Sequence, residues 1–306
     1  MISRNYSDTT LSIVVFVAAA FWGMYWFPLH KIQEAGVEGT WSIVLFNLCP
    51  LVALLPAVVW YRKLFAQHIG PAVIIAIFTG LGFVLYATGL VASTVVRATL
   101  LFYLTPIWST LIGMLWLGER LTWGRIVGIG LGLTGLALLL YKTNASAHPL
   151  NIGDLCAFIS GWVWAIGAAM MKRWPDTPTV TVITYQFVII SAGAAILSLT
   201  LFDLALPQAD AVINALPVAL IASLFILLPT GVAIMWIAKR LFPGRIGVLM
   251  MSEVLVAILS AAILLPEERL SGIQWLGAAA IVTAALVEVI LGSRDEAQDA
   301  VVSPNA

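Results

Sequence analysis

Charge is scarce in this sequence. Of its 306 residues, 10% are Asp, Glu, Lys or Arg, against roughly 25% in soluble domains. The 15 basic and 15 acidic side chains cancel, so nothing offers the net positive surface that would gather a polyanion, and nucleic acid is not an expected partner. Cysteine is scarcer still. Cys49 and Cys156 sit in apolar runs without a CxxC or Cys/His cluster, which gives a disulfide framework or a zinc site little support. Only three histidines occur, His30, His68 and His148. HExxH, paired-aspartate, Walker and GxSxG motifs are all missing, so metal, phosphate and acyl-transfer chemistry lack their usual equipment. No catalytic residue, metal or cofactor is expected, and a primary pump is disfavoured.

Hydrocarbon stands where charge is missing: 61% of the residues are hydrophobic and the mean hydropathy is +1.03. A helix needs roughly 20 apolar residues to cross a hydrocarbon core of about 30 Å. Ten such runs lie near 10–33, 41–60, 71–92, 96–117, 122–141, 152–172, 179–202, 216–238, 246–265 and 271–291. The first, Leu11 to Leu29, lacks a small-residue cleavage site and continues into a tryptophan-rich stretch. It reads as a membrane span rather than a signal peptide. The polar tail 293–306 is expected to be a disordered cytoplasmic extension. The reading is an all-α integral membrane protein with the lipid bilayer as its surroundings.

Sorting basic residues onto the two sides gives the orientation. Arg4, Arg62, Lys63, Arg120, Arg125, Lys172, Arg173, Lys239, Arg240, Arg245 and Arg294 fall on one side, Lys31, Arg97, Lys142 and Arg269 on the other. With loops this short, the positive-inside rule puts both termini in the cytoplasm.

The chain also repeats itself. Glu119-Arg120-Leu121-Thr122 returns as Glu268-Arg269-Leu270-Ser271 at an offset of 149 residues, and Trp22 pairs with Trp164 and Lys31 with Arg173 at an offset of 142. A fixed internal offset marks an architectural repeat. It predicts two five-helix units, 10–142 and 151–292, with about seven extra residues in the second, in the loop from Asp203 to Leu216. An odd number of spans per unit turns the second copy upside down, the inverted-repeat plan of many secondary transporters.

Several features inside the spans could carry chemistry. Trp22, Tyr25 and Trp26, Tyr86, Tyr103 and Trp108, and Trp162 and Trp164 lie deep, away from the interfacial belts where Trp41, Trp60, Trp123 and Trp275 are expected. A buried indole N–H or phenol O–H needs an acceptor, and a ring face attracts an ammonium by about 0.5 to 2 kcal/mol. Lipid contact or core packing explains any single ring, whereas the set suggests a polar-aromatic cavity. Glu253 is the acid nearest mid-membrane, where a charge costs about 2.5–3.5 kcal/mol on insertion scales. It is either a proton or amine site or a structural hydrogen-bonding group. Prolines interrupt the spans at Pro28, Pro50, Pro56, Pro106 and Pro229. Pro106 and Pro229 should free the carbonyls of Phe102 and Phe225. With Gly231, Gly80 and Gly82 they are candidate hinges. Gly124, Gly128 and Gly132, answered by Gly277, Ala280 and Ala284, form small-residue stripes for close packing, within the protein or between two protomers of a homodimer. Glu119 and Glu268 read as elbow residues paired locally with Arg120 or Arg269.

The order of these features resembles the EamA-type members of the drug/metabolite transporter superfamily. The likeness rests on Trp22-Gly23, TPIWSTLIGMLWLGERLT at Thr105 to Thr122, the glycine-rich span after it, Trp164, and PEERLS at Pro266 to Ser271. Where many members carry Glu-Pro in the ninth span, this chain has Glu253-Val254. WGMYWFPLHK (Trp22 to Lys31), FVLYATGL (Phe83 to Leu90), LLFYLTPIWSTL (Leu100 to Leu111) and KRLFPGRIGVLMMSEVL (Lys239 to Leu255) are similar to YddG-type amino-acid exporters. The resemblance implies ten transmembrane helices in two inverted five-helix repeats. It also implies a small-molecule substrate, an aromatic or other neutral amino acid, exported across a bacterial-type inner membrane by alternating access. The expected substrate-binding residues are Trp22, Tyr86, Tyr103, Trp108, Trp164 and Glu253. The alternatives are a permease for another metabolite or drug, and an intramembrane enzyme acting on lipid or an isoprenoid.

Overall fold

Local sequence explains where the helices begin and stop. In a computed structural model, the described residues are 6–93, 95–139, 141, 150–264, 271–284 and 286–287, and every regular element among them is helical. Helix α1 spans Asp8–Trp22, its N-cap Ser7 accepting from the Thr10 amide at 3.2 Å with Asp8 in the first turn. Both features suit the positive end of a helix. Then follow α2 (Trp26–Glu34), α3 (Trp41–Trp60), a short α4 (Arg62–Gln67), α5 (Ile69–Ala92), α6 (Val95–Phe102), α7 (Thr105–Leu117) and α8 (Trp123–Leu139). Gly118 ends α7 in the left-handed region at φ 68°, where a side chain would be strained. Helix α9 (Ile152–Arg173) opens on a capping box: Asn151 accepts from the Asp154 amide, and Asp154 accepts from the Asn151 amide and from Ser93 Oγ at 2.6 Å.

The chain continues through α10 (Thr179–Thr200), α11 (Ala209–Ala222), a π-helical turn at Ser223–Leu227, α12 (Leu228–Ala238), α13 (Pro243–Met250), α14 (Ser252–Leu264) and α15 (Gly272–Ala284). Among the described residues, six stretches are long and apolar enough to cross a membrane: Asp8–Glu34, Trp41–Trp60, Ile69–Ala92, Ile152–Arg173, Thr179–Thr200 and Ala209–Ala238. The other expected spans correspond to shorter helices, α6 with α7, α8, α13 with α14, and α15. The second elbow at Glu268-Arg269, and the tail, lie outside the described residues.

The expected spans are interrupted at four places. The first span stops at Gly23 and restarts at Trp26, bridged by tight i to i+3 bonds from Met24 to Phe21 and Tyr25 to Trp22. The fourth breaks at Tyr103-Leu104, the eighth carries the π turn, and the ninth breaks at Met251. Pro106 is not the break itself. It occupies the first turn of α7, where a missing N–H is no loss, and the Phe102 carbonyl that it was expected to free accepts from Thr105 Oγ1. Pro229 likewise opens α12 behind the π turn, while Pro50 and Pro56 are carried inside an unbroken α3.

Small residues set the tightest packing, α5 against α9. A Cβ on Gly82 would stand 2.9 Å from the Trp164 backbone nitrogen, and one on Gly167 would stand 2.6 Å from Thr79 Cγ2 and 2.9 Å from its nitrogen. Two glycines of α8 pack within the protein: a Cβ on Gly135 would lie 2.6 Å from the Gly277 carbonyl, and one on Gly132 2.5 Å from Met251 Sδ and 3.8 Å from Ala284 Cβ. The elbow before α8 is pinned by a buried ion pair in which Arg125 Nη1 donates to Glu119 Oε1, so Glu119 ties the turn to α8. Apolar side chains that no helix covers, such as Leu115 and Phe225, form the outer belt that lipid would meet.

Gly167→Val should therefore drive α9 off α5 and lower the melting temperature in detergent by several degrees, consistent with an overpacking cost of about 1–3 kcal/mol. Gly130→Ala, at a position with nothing within 4 Å, should be neutral or slightly stabilising, about 1 kcal/mol at most. Thermal scans with size-exclusion readout compare the two; equal stability of the valine variant and the parent would contradict the packing described.

Candidate functional site

Three of the four breaks, in the first, fourth and ninth spans, meet near one buried acid. Glu253 is the second residue of α14, so it sits in the first turn after the Met251 break, where a helix N-terminus favours negative charge. It is buried, with Oε2 lacking a partner, and the hydroxyls of Tyr86 on α5 and Tyr103 at the α6–α7 break stand beside its carboxyl. Tyr103 donates to the Met250 carbonyl at 2.9 Å, supplying a donor to an end of α13 that the break leaves open. Tyr86 shares a 3.5 Å contact with Thr99 and stacks on Phe102 at 4.4 Å. Across the site, Gly23 brings the first break onto the ninth span: a Cβ there would stand 2.4 Å from the Glu253 carbonyl oxygen.

Aromatic rings continue the cluster. Phe83 packs edge-on against Trp22 at 5.3 Å and Tyr25 at 5.1 Å, and Tyr25 meets Phe46 at 5.2 Å. Trp22 and Trp164 are both buried with indole nitrogens lacking an acceptor. Buried polar atoms without partners cost about 1–3 kcal/mol each, so several around one centre are unusual for a site that serves packing alone. Asn47 on α3 adds another, its Oδ1 unpartnered while Nδ2 donates to Ile43 at 2.9 Å and Tyr25 at 3.3 Å. Two small cavities touch this cluster. One of about 20 Å³ lies between α1, α2, α3 and the π turn, and one of about 10 Å³ between Trp22, Asn47, Phe83, Gln186, Phe187 and Gly231. Each is comparable to the space one water needs.

Of the residues expected to bind substrate, Trp22, Tyr86, Tyr103 and Trp164 share one core, with Glu253 beside the two tyrosines. Trp108 does not join them: it packs in a separate cluster near Ile112 and Ala169, beside Phe158 and Trp162, and Trp162 is 55% exposed. Among the candidate hinges, Pro106 and Pro229 adjoin irregular backbone. Gly231 borders the smaller cavity. Gly80 lies in an unbroken α5 and makes room for Ile189. Tyr25, expected deep, joins the same core. Asn47, Phe46, Phe83, Phe102 and Gln186 went unpredicted. Phe83 could have been found, because it stands three residues before Tyr86 and shares its helix face. Asn47 and Gln186 could have been noticed as carboxamides inside apolar runs.

At one end of the bundle two lysines cross-link neighbouring loops. Lys172, closing α9, donates to the Arg240 carbonyl, and Lys239, after α12, donates to Thr177 beyond α9. Burial, reinforced by the Arg240 charge, brings the Lys239 ammonium down to about 8. Arg240 lies 3.7 Å from the centre of the Trp236 ring, which Tyr6 meets edge-on.

Comparison with known proteins follows the same outline. The chain is 26% identical over 201 residues to a "Probable amino-acid metabolite efflux pump" of Escherichia coli (strain K12), covering 63% of this chain and 66% of that protein. A solved crystal structure superposes with a TM-score of 0.71 at 21% identity, covering 94% of this chain and 99% of the other, and so shares the fold. The EamA-like transporter family matches twice, over residues 10–141 and 151–290. That double match covers both halves of a helical, multi-pass membrane protein, and the chain belongs to the EamA-like transporter family.

Proposed function

We propose that this protein is a secondary transporter that exports amino acids, aromatic and other neutral ones, across a cytoplasmic membrane by alternating access. The observation that carries the proposal is the convergence of broken spans on Glu253, Trp22, Trp164, Tyr86 and Tyr103, with indole donors and a carboxylate oxygen left unpartnered. An amino acid complements that set: its ammonium suits Glu253 and the ring faces, its carboxylate the Trp164 indole N–H, and an aromatic side chain the stacked walls. Water-sized cavities fit an occluded conformation that must open before it admits a ligand, since small-molecule sites usually measure roughly 300–1,000 Å³.

Ten spans in two inverted five-helix repeats account for the paired breaks, the fourth and ninth spans being counterparts in the two copies. Both termini cytoplasmic accounts for the crowding of Lys172, Lys239 and Arg240 at the end where Tyr6 packs. Rocking one set of helices against the other would use the breaks as joints and the α5–α9 contact as a stiff member. The relative in Escherichia coli, whose name describes amino-acid metabolite efflux, supports export over an enzymatic role. A monomer suffices for the site, and the outward face of α8 around Gly130 leaves room for a homodimer.

Liposomes containing the pure protein should show counterflow of labelled amino acids without chemical change; no exchange across a broad panel would sink the proposal. Trp164→Ala should raise the apparent KM for aromatic substrates about tenfold or more while affecting alanine and serine less, and equal losses would contradict a stacking role. Glu253→Gln should abolish any stimulation of exchange by a pH gradient; a parent-like response in that variant would remove Glu253 from proton coupling.

A further inference from the structure

The smaller cavity has the donor and acceptor complement of one hydroxyl group. Its rim holds Asn47, whose amide is fixed in orientation: Nδ2 faces the Ile43 carbonyl at 2.9 Å and the Tyr25 hydroxyl at 3.3 Å. A carbonyl can only accept, so the nitrogen must lie on that side and the oxygen on the other. That oxygen is buried and has no partner. Trp22 lines the same cavity, and its indole N–H is a buried donor with no acceptor. Asn47, with a buried acceptor lacking a partner, and Trp22, with a buried donor lacking one, thus both line a void of about 10 Å³, close to what one water or one hydroxyl occupies.

The cavity carries no ionisable side chain on its lining, so an ammonium or carboxylate would enter without a counter-charge and at a heavy desolvation cost. Phe83, Phe187 and the Trp22 ring make the walls aromatic. Gly231 keeps the space open, since a Cβ there would stand 3.3 Å from Ile183 Cδ1 and 3.8 Å from Trp22 Cζ2. Gln186 supplies a second carboxamide on the facing helix.

We infer that Asn47 and Trp22 form a hydroxyl-recognising subsite that receives the phenol end of an aromatic amino acid, with Asn47 Oδ1 accepting from the hydroxyl and Trp22 Nε1 donating to it. The inference rests on the amino-acid transport reading and adds a specificity-determining residue, Asn47, on a helix outside the expected set. Its consequence is discrimination between tyrosine and phenylalanine, which differ only in that hydroxyl. Phenylalanine would leave both buried groups unpaired, and a site built to bond a substrate hydroxyl rejects the analogue that lacks it.

Counterflow in liposomes with labelled tyrosine and with labelled phenylalanine tests this directly. The parent should favour tyrosine in kcat/KM by about tenfold, and Asn47→Leu should bring the ratio close to one, chiefly through loss of tyrosine exchange. Equal handling of the two amino acids by the parent would mean that the cavity holds a structural water only, and would overturn the inference whether or not the variant folds. An equal loss of both substrates in Asn47→Leu would assign Asn47 to structure and overturn it as well. Exchange without discrimination defeats this inference alone, whereas absence of any amino-acid exchange defeats the transport reading and the inference together.

Discussion

A peptide group in hydrocarbon has no water to bond, so wherever a helix stops inside the membrane the protein must supply a partner or leave a polar atom waiting for one. This chain stops its helices inside several spans, and the consequences shape the rest of the molecule. Tyr103 reaches across to the Met250 carbonyl at the ninth-span break. Thr105 turns back onto Phe102 at the fourth. Short i to i+3 bonds carry the chain through Gly23 to Tyr25 at the first. Unpartnered buried atoms of Trp22, Asn47, Trp164 and Glu253 are among those found at the centre of the bundle. The cost of those orphaned groups is the strongest physical reason to regard the centre as a place for a ligand.

Rigid and yielding parts are separated. Helices α5 and α9 run unbroken and meet backbone to backbone through Gly82, Gly89 and Gly167, a contact that admits sliding poorly because any displacement meets atoms at van der Waals range. The broken spans surround this axis. The two lysine bonds at one end, from Lys172 and Lys239 to loop carbonyls, tie α9 and α12 together with groups that open water could replace at little cost. A bundle with a stiff axis, jointed neighbours and polar ties at one end has the parts that an alternating motion needs.

Much of this was legible before any coordinates. Hydropathy located the apolar runs, and the offset between Trp22 and Trp164 located the two halves that the family match covers separately. The deep aromatics pointed to a central cluster because an indole or phenol in hydrocarbon needs a reason. Rotation about the helix axis was harder to read. Trp108 and Trp162 lie on a different face from Tyr103 and Trp164, and with spans this uniformly apolar no polar stripe marks which face turns inward. The prolines misled for a related reason. Pro106 signals a break nearby, but the chain gives way three residues earlier, at Tyr103, and the proline begins the next helix. Asn47 was hidden by context, one carboxamide in a long hydrophobic run, and its partner Tyr25 lies 22 residues away.

The central claim is that the cluster around Glu253 and Trp22 is reached from both sides of the membrane and occupied by an amino acid. Accessibility tests it most directly: with Cys49→Ala and Cys156→Ala as background, Gln186→Cys places one thiol at the cavity. In sealed vesicles, an impermeant thiol reagent should label that position from either side, and a saturating aromatic amino acid should slow the labelling several-fold. Labelling from neither side, or a rate indifferent to every amino acid tried, would contradict the account.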